Sequence, residues 1–412
     1  VKLRDYQDAD VNRIRDAFAR GRRRVVYQAP TGCGKTVLFV YVAGQSVALG
    51  RPVAIVVHRI ELVDQTCEAL AEAGIEYGVV ANGFRENPAA LVQVCMVRTL
   101  ANRSERLKDV GLLVLDEAHH VVASTWAALL AAAPNARVLG TTATPMRLDG
   151  KGLGAAFDEL IVGPSVRELI DGGWLSRFAI FAPAPERAVD LKGLRTVAGD
   201  YALGPLADRM SSDVIFEDVI KEFDKHLRNR SALAFCPTLD HSCATARMFR
   251  ANGVNAVHLD GDTPAGERRE TIARLGREPL VITNCGLISE GLNVPVVGGI
   301  IMLRPTKSLG LYLQQIGRAL RPAPGKDRAI VLDHASNVFR HGFPDTPREW
   351  SLADRPKQRG EAPVKRCASC GALIPASARE CPECGAAQPP QKEKPRRPGP
   401  ATVGRARRHD RA

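Results

Sequence analysis

Short apolar runs recur along this chain, and stretches of helical length separate them. Val25-Val26-Tyr27, Val53–Val57, Val92–Met96, Leu112–Leu115 and Val138–Leu139 form one series. Ala232–Phe235, Ala256–Leu259, Leu280–Thr283, Ile300–Leu303 and Ala329–Leu332 form a second. Runs this short and this continuously apolar suit strands buried on both faces, and helical crossovers are what a parallel sheet requires. Two series predict an α/β chain with two tandem parallel-sheet lobes. The region about Phe178–Met210, with Ala182-Pro183-Ala184-Pro185, breaks the rhythm and reads as the connection between them.

The expected layout is a first lobe over 1–185, a connection over 186–210 and a second lobe over 211–345. A Pro-, Arg-, Lys- and Gly-rich linker over 346–364 follows, then a cysteine module over 365–388. The last segment, 389–412, is Pro-rich and basic and is expected to be disordered when free.

With 412 residues, 45% hydrophobic and 25% charged, the chain can bury a sizeable core. No apolar run approaches the roughly 18 residues of a membrane span, and Trp126–Ala133 and Ile300–Leu303 read as buried elements. Val1–Gln7 carries no apolar signal stretch, so a cytoplasmic location without a membrane partner is expected. A net charge of +12 suits a polyanionic partner, although charge alone does not separate this from a merely basic protein.

Ala29-Pro30-Thr31-Gly32-Cys33-Gly34-Lys35-Thr36 follows an apolar strand and precedes an apolar helix. Gly32 and Gly34 let backbone N–H groups turn inward around phosphate oxygens. Lys35 reaches the β- and γ-phosphates, and the Thr36 hydroxyl is a ligand for Mg²⁺. Thr31 and Cys33 complete the loop, whose first position is Ala29 where the pattern usually has Gly. By itself the loop specifies only a nucleoside triphosphate.

Leu112-Leu113-Val114-Leu115-Asp116-Glu117-Ala118-His119 is an apolar strand ending in two acids. Asp116 at the strand tip is placed to hold Mg²⁺ through water, and Glu117 to orient or deprotonate the attacking water. The bland alternative is a helix N-terminus that favours acids. His119 either couples the site to Thr142-Ala143-Thr144-Pro145 or packs; His120 reads as structural. Gln314-Gln315-Ile316-Gly317-Arg318-Ala319-Leu320-Arg321 belongs to the second series. Arg318 and Arg321 share one helical face and suit arginine fingers on the γ-phosphate; a solvated basic face is the alternative.

Cys367-x₂-Cys370, ten residues, then Cys381-x₂-Cys384 reads as a zinc ribbon, with Gly371 and Gly385 at its two knuckles. Six further cysteines are scattered and read as reduced. Redox pairs or two disulfides are the alternative, but both CxxC pairs fall in one short segment. So small a segment has almost no core, so Zn²⁺ would supply most of its folding energy.

Taken together these motifs resemble the superfamily 2 helicases, in the DEAH/DEXH branch named for Asp116-Glu117-Ala118-His119. The resemblance covers roughly residues 1–345, and within the branch the chain is most similar to bacterial and phage RadD-type proteins, which share the four-cysteine module. It implies RecA-like lobes with ATP and Mg²⁺ bound between them. It places Arg4 and Gln7 at the adenine, and Arg59, Gln65, Thr99 and Thr283 on the nucleic-acid backbone. His119, Thr142, Thr144 and Gln314 would couple nucleotide state to strand grip, and Gly291 would border the nucleotide. Asp260-Gly261-Asp262-Thr263 with Arg268 corresponds to a segment after the family's fourth motif. The family often has Asp where this chain has Asn293.

The expected function is an ATP-driven helicase or translocase on nucleic acid. DNA in repair or recombination, single-stranded or forked, is the expected track, with RNA as a further possibility. A long C-terminal extension of the spliceosomal kind is absent, which weighs against RNA. The alternatives are an ATP-gated clamp or recruitment factor that does not unwind, and a translocating subunit beside a separate nuclease. A protein partner would dock through the zinc ribbon and tail.

Overall fold

The computed structural model describes residues 2–120, 124–147, 150–197, 199–288, 297–354 and 362–389. Gly291, Asn293, part of the expected linker and nearly all of the basic tail lie outside the described residues.

The first lobe runs α1 (Asp5–Ala19), β1 (Arg24–Gln28), α2 (Lys35–Ala48), β2 (Val53–Val57), α3 (Ile60–Glu72), β3 (Tyr77–Val80), β4 (Val92–Met96) and α4 (Val97–Ala101). It continues with β5 (Leu112–Asp116), α5 (Ser124–Ala132), β6 (Arg137–Thr142), β7 (Glu159–Val162) and α6 (Val166–Asp171). Its sheet has the order β3-β4-β2-β5-β6-β1-β7 and every pairing is parallel. Helices cover both faces, so β2 and β5 are buried along their whole length, as their uninterrupted apolar sequences require.

The second lobe begins with β8 (Arg177–Phe181), a two-stranded hairpin of β9 (Thr196–Val197) and β10 (Asp200–Tyr201), α7 (Leu203–Met210) and α8 (Asp213–His226). Then come β11 (Ala232–Phe235), α9 (Leu239–Ala251), β12 (Ala256–Leu259), α10 (Ala265–Arg274), β13 (Val281–Asn284) and β14 (Gly299–Met302). α11 (Leu309–Gly317), β15 (Arg328–Asp333) and α12 (Asn337–His341) complete it, and β16 (Val364–Arg366) and β17 (Leu373–Pro375) follow. The sheet order is β12-β13-β11-β14-β15-β8-β17-β16, parallel as far as β8 and antiparallel beyond.

Three boundaries differ from the sequence-based layout. β8, expected within a first lobe ending at 185, pairs in parallel with β15 and belongs to the second sheet. The expected connection over 186–210 contains the β9–β10 hairpin and α7, whose Leu206 and Met210 are buried in the second lobe's core. The segment expected as linker returns to the first lobe. The Gly154 N–H donates to Leu352 O (3.0 Å), the Gly152 N–H donates to the Asp354 carboxylate (2.9 Å), and Leu352 packs on the first lobe's core. A Cβ on Gly152 would lie 2.0 Å from Leu352 O, so only glycine admits this crossing.

One apolar cluster runs through both lobes, joining Leu38 and Leu169 of the first to Ile316 and Leu320 of the second through Leu175. The cysteine module docks on the second sheet's edge. Leu373 pairs with Ile180, Arg328 forms an ion pair with Glu383, and Arg177 donates to Pro382 O (3.4 Å). No helix among the described residues is long and apolar enough to cross a membrane.

Candidate active site

The phosphate loop hangs between the C-terminal end of β1 and the start of α2. Gly32 and Gly34 have φ of 91° and 84°, a region that only glycine enters cheaply. Lys35 Nζ donates to Ala29 O and Pro30 O at 3.2 and 3.3 Å, which holds the ammonium inside the loop. Thr36 follows on the first turn of α2, and Cys33 is buried behind the loop, where burial raises its thiol pKa.

Asp116 ends β5 and is buried. Thr141 donates to its carboxylate at 2.7 Å and the Glu117 N–H at 3.0 Å. Burial, and then the neighbouring Glu117 charge, raise its pKa above the ordinary aspartate range, while Lys35 opposes the shift. Glu117 has φ of 51°, and Ser336 (57°) is the one other non-glycine described with a positive φ. Such a conformation persists only where the surroundings enforce it. It turns the Glu117 carboxylate toward His119, whose Nδ1 lies 3.3 Å from Glu117 Oε2 and 3.2 Å from Thr142 Oγ1. Thr142 Oγ1 donates to Thr144 O (2.9 Å), and Gln28 donates to Ala143 O (3.0 Å). His119 thus stands between the Glu117 carboxylate and the Thr142–Thr144 turn, close to both. His120 lies between two imidazoles, 4.1 Å from the His119 ring centre and 4.7 Å from that of His58.

The second lobe reaches this site through α11. A Cβ on Gly317 would stand 2.5 Å from Thr31 Cβ, and one on Gly310 would stand 2.9 Å from Thr144 Oγ1. Both glycines let the helix lie directly on the phosphate loop and on the Thr142–Thr144 turn. Gln314 is buried in the same helix, and Arg318 is buried just beyond it. The Arg321 stem passes Gly32: its Cγ would be 3.6 Å from a Cβ placed there. Burial lowers the Arg321 pKa.

Gln7 is 2% exposed, with its amide turned to the phosphate loop. Nε2 donates to Cys33 O (3.2 Å) and Gly34 O (3.1 Å), and Oε1 accepts the Arg4 N–H (3.0 Å). Tyr6 adds a hydrogen bond to Cys33 O (2.5 Å). Both amide hydrogens of the expected adenine reader are thus directed at the loop backbone, while its oxygen accepts from Arg4.

The residues expected on the nucleic-acid backbone sit in different surroundings. Arg59 donates to the carbonyls of Leu287 (3.1 Å) and Gly286 (3.4 Å), and its neighbour Glu61 pairs with Arg268 (3.1 Å), so two contacts here link the lobes. Gln65 and Thr99 are half-buried in the first lobe. Thr283 is fully buried on β13 and donates to Ser242 O (2.9 Å), which removes it from any surface that carries a strand. Tyr6, Thr141, Trp174, Ser176, Gly310 and Gly317 were not singled out from the sequence.

The four cysteine sulfurs lie within 4.8 Å of one another, with Cys367–Cys384 and Cys370–Cys381 at 3.7 Å. A tetrahedron with metal–sulfur bonds of about 2.3 Å has edges of about 3.8 Å, whereas a disulfide is about 2.05 Å long. The arrangement fits a zinc ion and excludes two disulfides. Each knuckle repeats one hydrogen bond: the Gly371 N–H donates to Cys367 O (3.0 Å) and the Gly385 N–H to Cys381 O (2.9 Å). Backbone N–H groups, first that of Cys370, pull the Cys367 thiol down to about 6, whereas burial raises the Cys370 and Cys381 thiols. Gln388 Nε2 donates to the Cys367 sulfur (3.2 Å).

Two parallel-sheet lobes that meet on a phosphate loop, with paired carboxylates on one side and arginines on the other, define a two-lobed P-loop NTPase. The comparisons narrow the class. The model "Type III restriction enzyme, res subunit" matches residues 1–147, and "Helicase conserved C-terminal domain" matches residues 215–323. The chain is similar to a 51.5 kDa protein of a Lactococcus phage, 33% identical over 87% of this chain and 77% of that one. It is also similar to the putative ATP-dependent helicase IRC3 of Saccharomyces cerevisiae, 31% identical over 80% of this chain. It spans only 51% of that yeast protein. This chain belongs to the superfamily 2 helicases and is a helicase-type ATPase.

Solved structures agree on the fold. A fragment of a putative HsdR subunit of a type I restriction enzyme from Vibrio vulnificus has a TM-score of 0.64 at 18% identity, covering 82% of this chain and 65% of that one. The Type ISP restriction-modification enzyme LlaBIII bound to DNA has a TM-score of 0.61 at 18% identity, covering 80% of this chain and 27% of that one.

Proposed function

We propose that this chain is a motor that uses ATP hydrolysis to move along DNA and to open forked or partly single-stranded substrates. The observation that carries this reading is the seating of α11 on the phosphate loop. Through Gly317 against Thr31 and Gly310 against Thr144, the second lobe supplies one wall of a nucleotide site whose other wall is the first lobe. A site split in this way opens and closes as the lobes move, and it converts a phosphate-bond event into relative displacement.

In this reading Lys35 and the Gly32–Gly34 backbone hold the phosphates. Thr36 and Asp116 hold Mg²⁺, which when bound neutralises charge between the β- and γ-phosphates. Glu117 holds the attacking water and takes its proton. Its His119 contact keeps the carboxylate oriented and ties it to Thr142. Arg318 and Arg321 stabilise charge on the departing phosphoryl group. Gln314 and Thr144 report the nucleotide state across the lobe boundary.

The strand crosses both lobes beside Arg59, Gln65 and Thr99, with phosphates rather than bases as the main contact, so little sequence preference is expected. The net charge of +12 suits a nucleic-acid backbone, and DNA is favoured by the DNA-bound restriction enzyme that shares the fold. The four cysteines hold zinc as a structural site, and the module moves with the second lobe, to whose sheet it is joined.

Unwinding of a labelled fork tests the reading. Strand displacement that needs ATP and is lost in Lys35→Ala, with DNA binding kept, is the expected result. A wild-type chain that hydrolyses ATP on DNA but displaces no strand and does not move along it overturns the motor and leaves a clamp.

A further inference from the structure

The nucleotide base needs a recognition surface beside the phosphate loop, and the Gln7 amide has no donor left to supply one. Both hydrogens of its amide are directed at Cys33 O and Gly34 O. The segment Trp174–Ser176, which leaves the first lobe after α6 and enters β8, lies against the same loop. The Leu175 Cδ2 methyl would be 3.1 Å from a Cβ on Gly32. The Ser176 N–H donates to Leu320 O (2.7 Å) and its hydroxyl to Arg321 O (3.2 Å). Trp174 itself is 39% exposed, the one aromatic among the exposed large apolar side chains of the described residues.

The indole is held in place. The Arg4 guanidinium lies over the ring, 4.5 Å from its centre, and Tyr6 meets it edge-on at 6.2 Å while donating to Cys33 O. The backbone N–H of Trp174 donates to Leu169 O (2.8 Å), which fixes the main chain at this residue, and Gly172 leaves room for the ring that a Cβ would take, 3.0 Å from Trp174 Cδ1.

We propose that Trp174 is the platform on which the purine base of the nucleotide stacks, on the ring face opposite the Arg4 guanidinium. The proposal deepens the ATPase reading and rests on it. An aromatic face accepts any base, so stacking gives affinity, and the Arg4 guanidinium on the other face fixes the plane of the ring. The same segment touches the finger helix through Ser176, so base binding also bears on how α11 sits.

The test compares wild type, Trp174→Ala and Trp174→Phe as full-length protein. It measures equilibrium binding of Mg·ATP and of Mg·tripolyphosphate, which has no base. The expected result is a roughly tenfold or greater loss of ATP affinity in Trp174→Ala, unchanged tripolyphosphate affinity, and recovery of most of the loss in Trp174→Phe. Equal weakening of both ligands, or of neither, overturns the proposal. Should Trp174→Ala fail to fold, tryptophan fluorescence decides: ATP quenches the wild type, tripolyphosphate does not, and the quench disappears in Trp174→Phe. A quench that persists in Trp174→Phe overturns the platform. Wild-type protein that binds tripolyphosphate and hydrolyses ATP with no such quench overturns the platform alone, whereas wild type that binds neither ligand overturns the ATPase reading as well.

Discussion

Glu117 occupies a left-handed backbone position that few non-glycine residues adopt, and it does so between the Asp116 carboxylate and the His119 ring. In Glu117→Gln the shape and most contacts survive, but the side chain no longer takes a proton. Its kcat should fall by about 10²–10⁴-fold with ATP affinity retained, as steady-state turnover and equilibrium binding would show. Thr283→Val separates two roles. The Ser242 carbonyl loses a buried donor, so unfolding in denaturant should show a loss of about 1–2 kcal/mol, with nucleic-acid affinity unchanged. A large loss of affinity at wild-type stability would return Thr283 to the strand path. The phosphate loop and the Asp116–His119 run were legible because each is contiguous and its chemistry depends on neighbours in sequence. Thr141, Tyr6 and Trp174 were not, because each acts on a residue far away along the chain. Thr283 misled for another reason: a strand buried on both faces has no alternation to reveal which way a side chain points.

Elements carry a second set of consequences. β15 ends in Asp333, whose buried carboxylate accepts the Val338 N–H (2.7 Å) at the start of α12. Burial, opposed by backbone N–H groups, pushes its pKa up to about 6. The fold therefore prefers the protonated acid. That contribution is complete below the unfolded value of about 3.9 and is lost as pH rises through about 6. Asp333→Asn removes the titration, so its unfolding free energy relative to wild type should rise by about 2–3 kcal/mol between pH 4 and pH 8; a pH-independent difference would contradict the burial argument. α11 is tested by Gly317→Ala. The added methyl stands 2.5 Å from Thr31 Cβ and must push the helix off the phosphate loop. A turnover loss on the order of 100-fold is expected with thermal stability nearly unchanged, because each lobe keeps its own sheet and only the fit between them is disturbed. The strand series was legible in the apolar runs. The place of β8 was not: Arg177–Phe181 joins the second sheet through pairing with β15, a partner set by tertiary packing rather than by local pattern.

At the scale of the whole molecule, the lobes share one apolar cluster, and the chain beyond the second lobe crosses back to the first at Gly152–Gly154. The cysteine spacing announced a four-cysteine module fit for a metal ion. It gave no hint that the module extends the second sheet, because that junction is made by residues far apart along the chain, among them the Leu373–Ile180 pair, the Arg328–Glu383 ion pair and Arg177 at Pro382 O. Metal analysis should find one zinc per module, and a chelator should unfold the module while leaving ATP hydrolysis without nucleic acid largely intact. Complete loss of that hydrolysis would mean that the module supports the lobes themselves. The most direct measurement of the central claim is ATP hydrolysis by the full chain, alone and with single-stranded DNA, duplex DNA, forked DNA and RNA, with Glu117→Gln as the inactive control. A composite site driven by strand binding predicts strong stimulation by a DNA form, absent in the control; hydrolysis unchanged by every nucleic acid would contradict it.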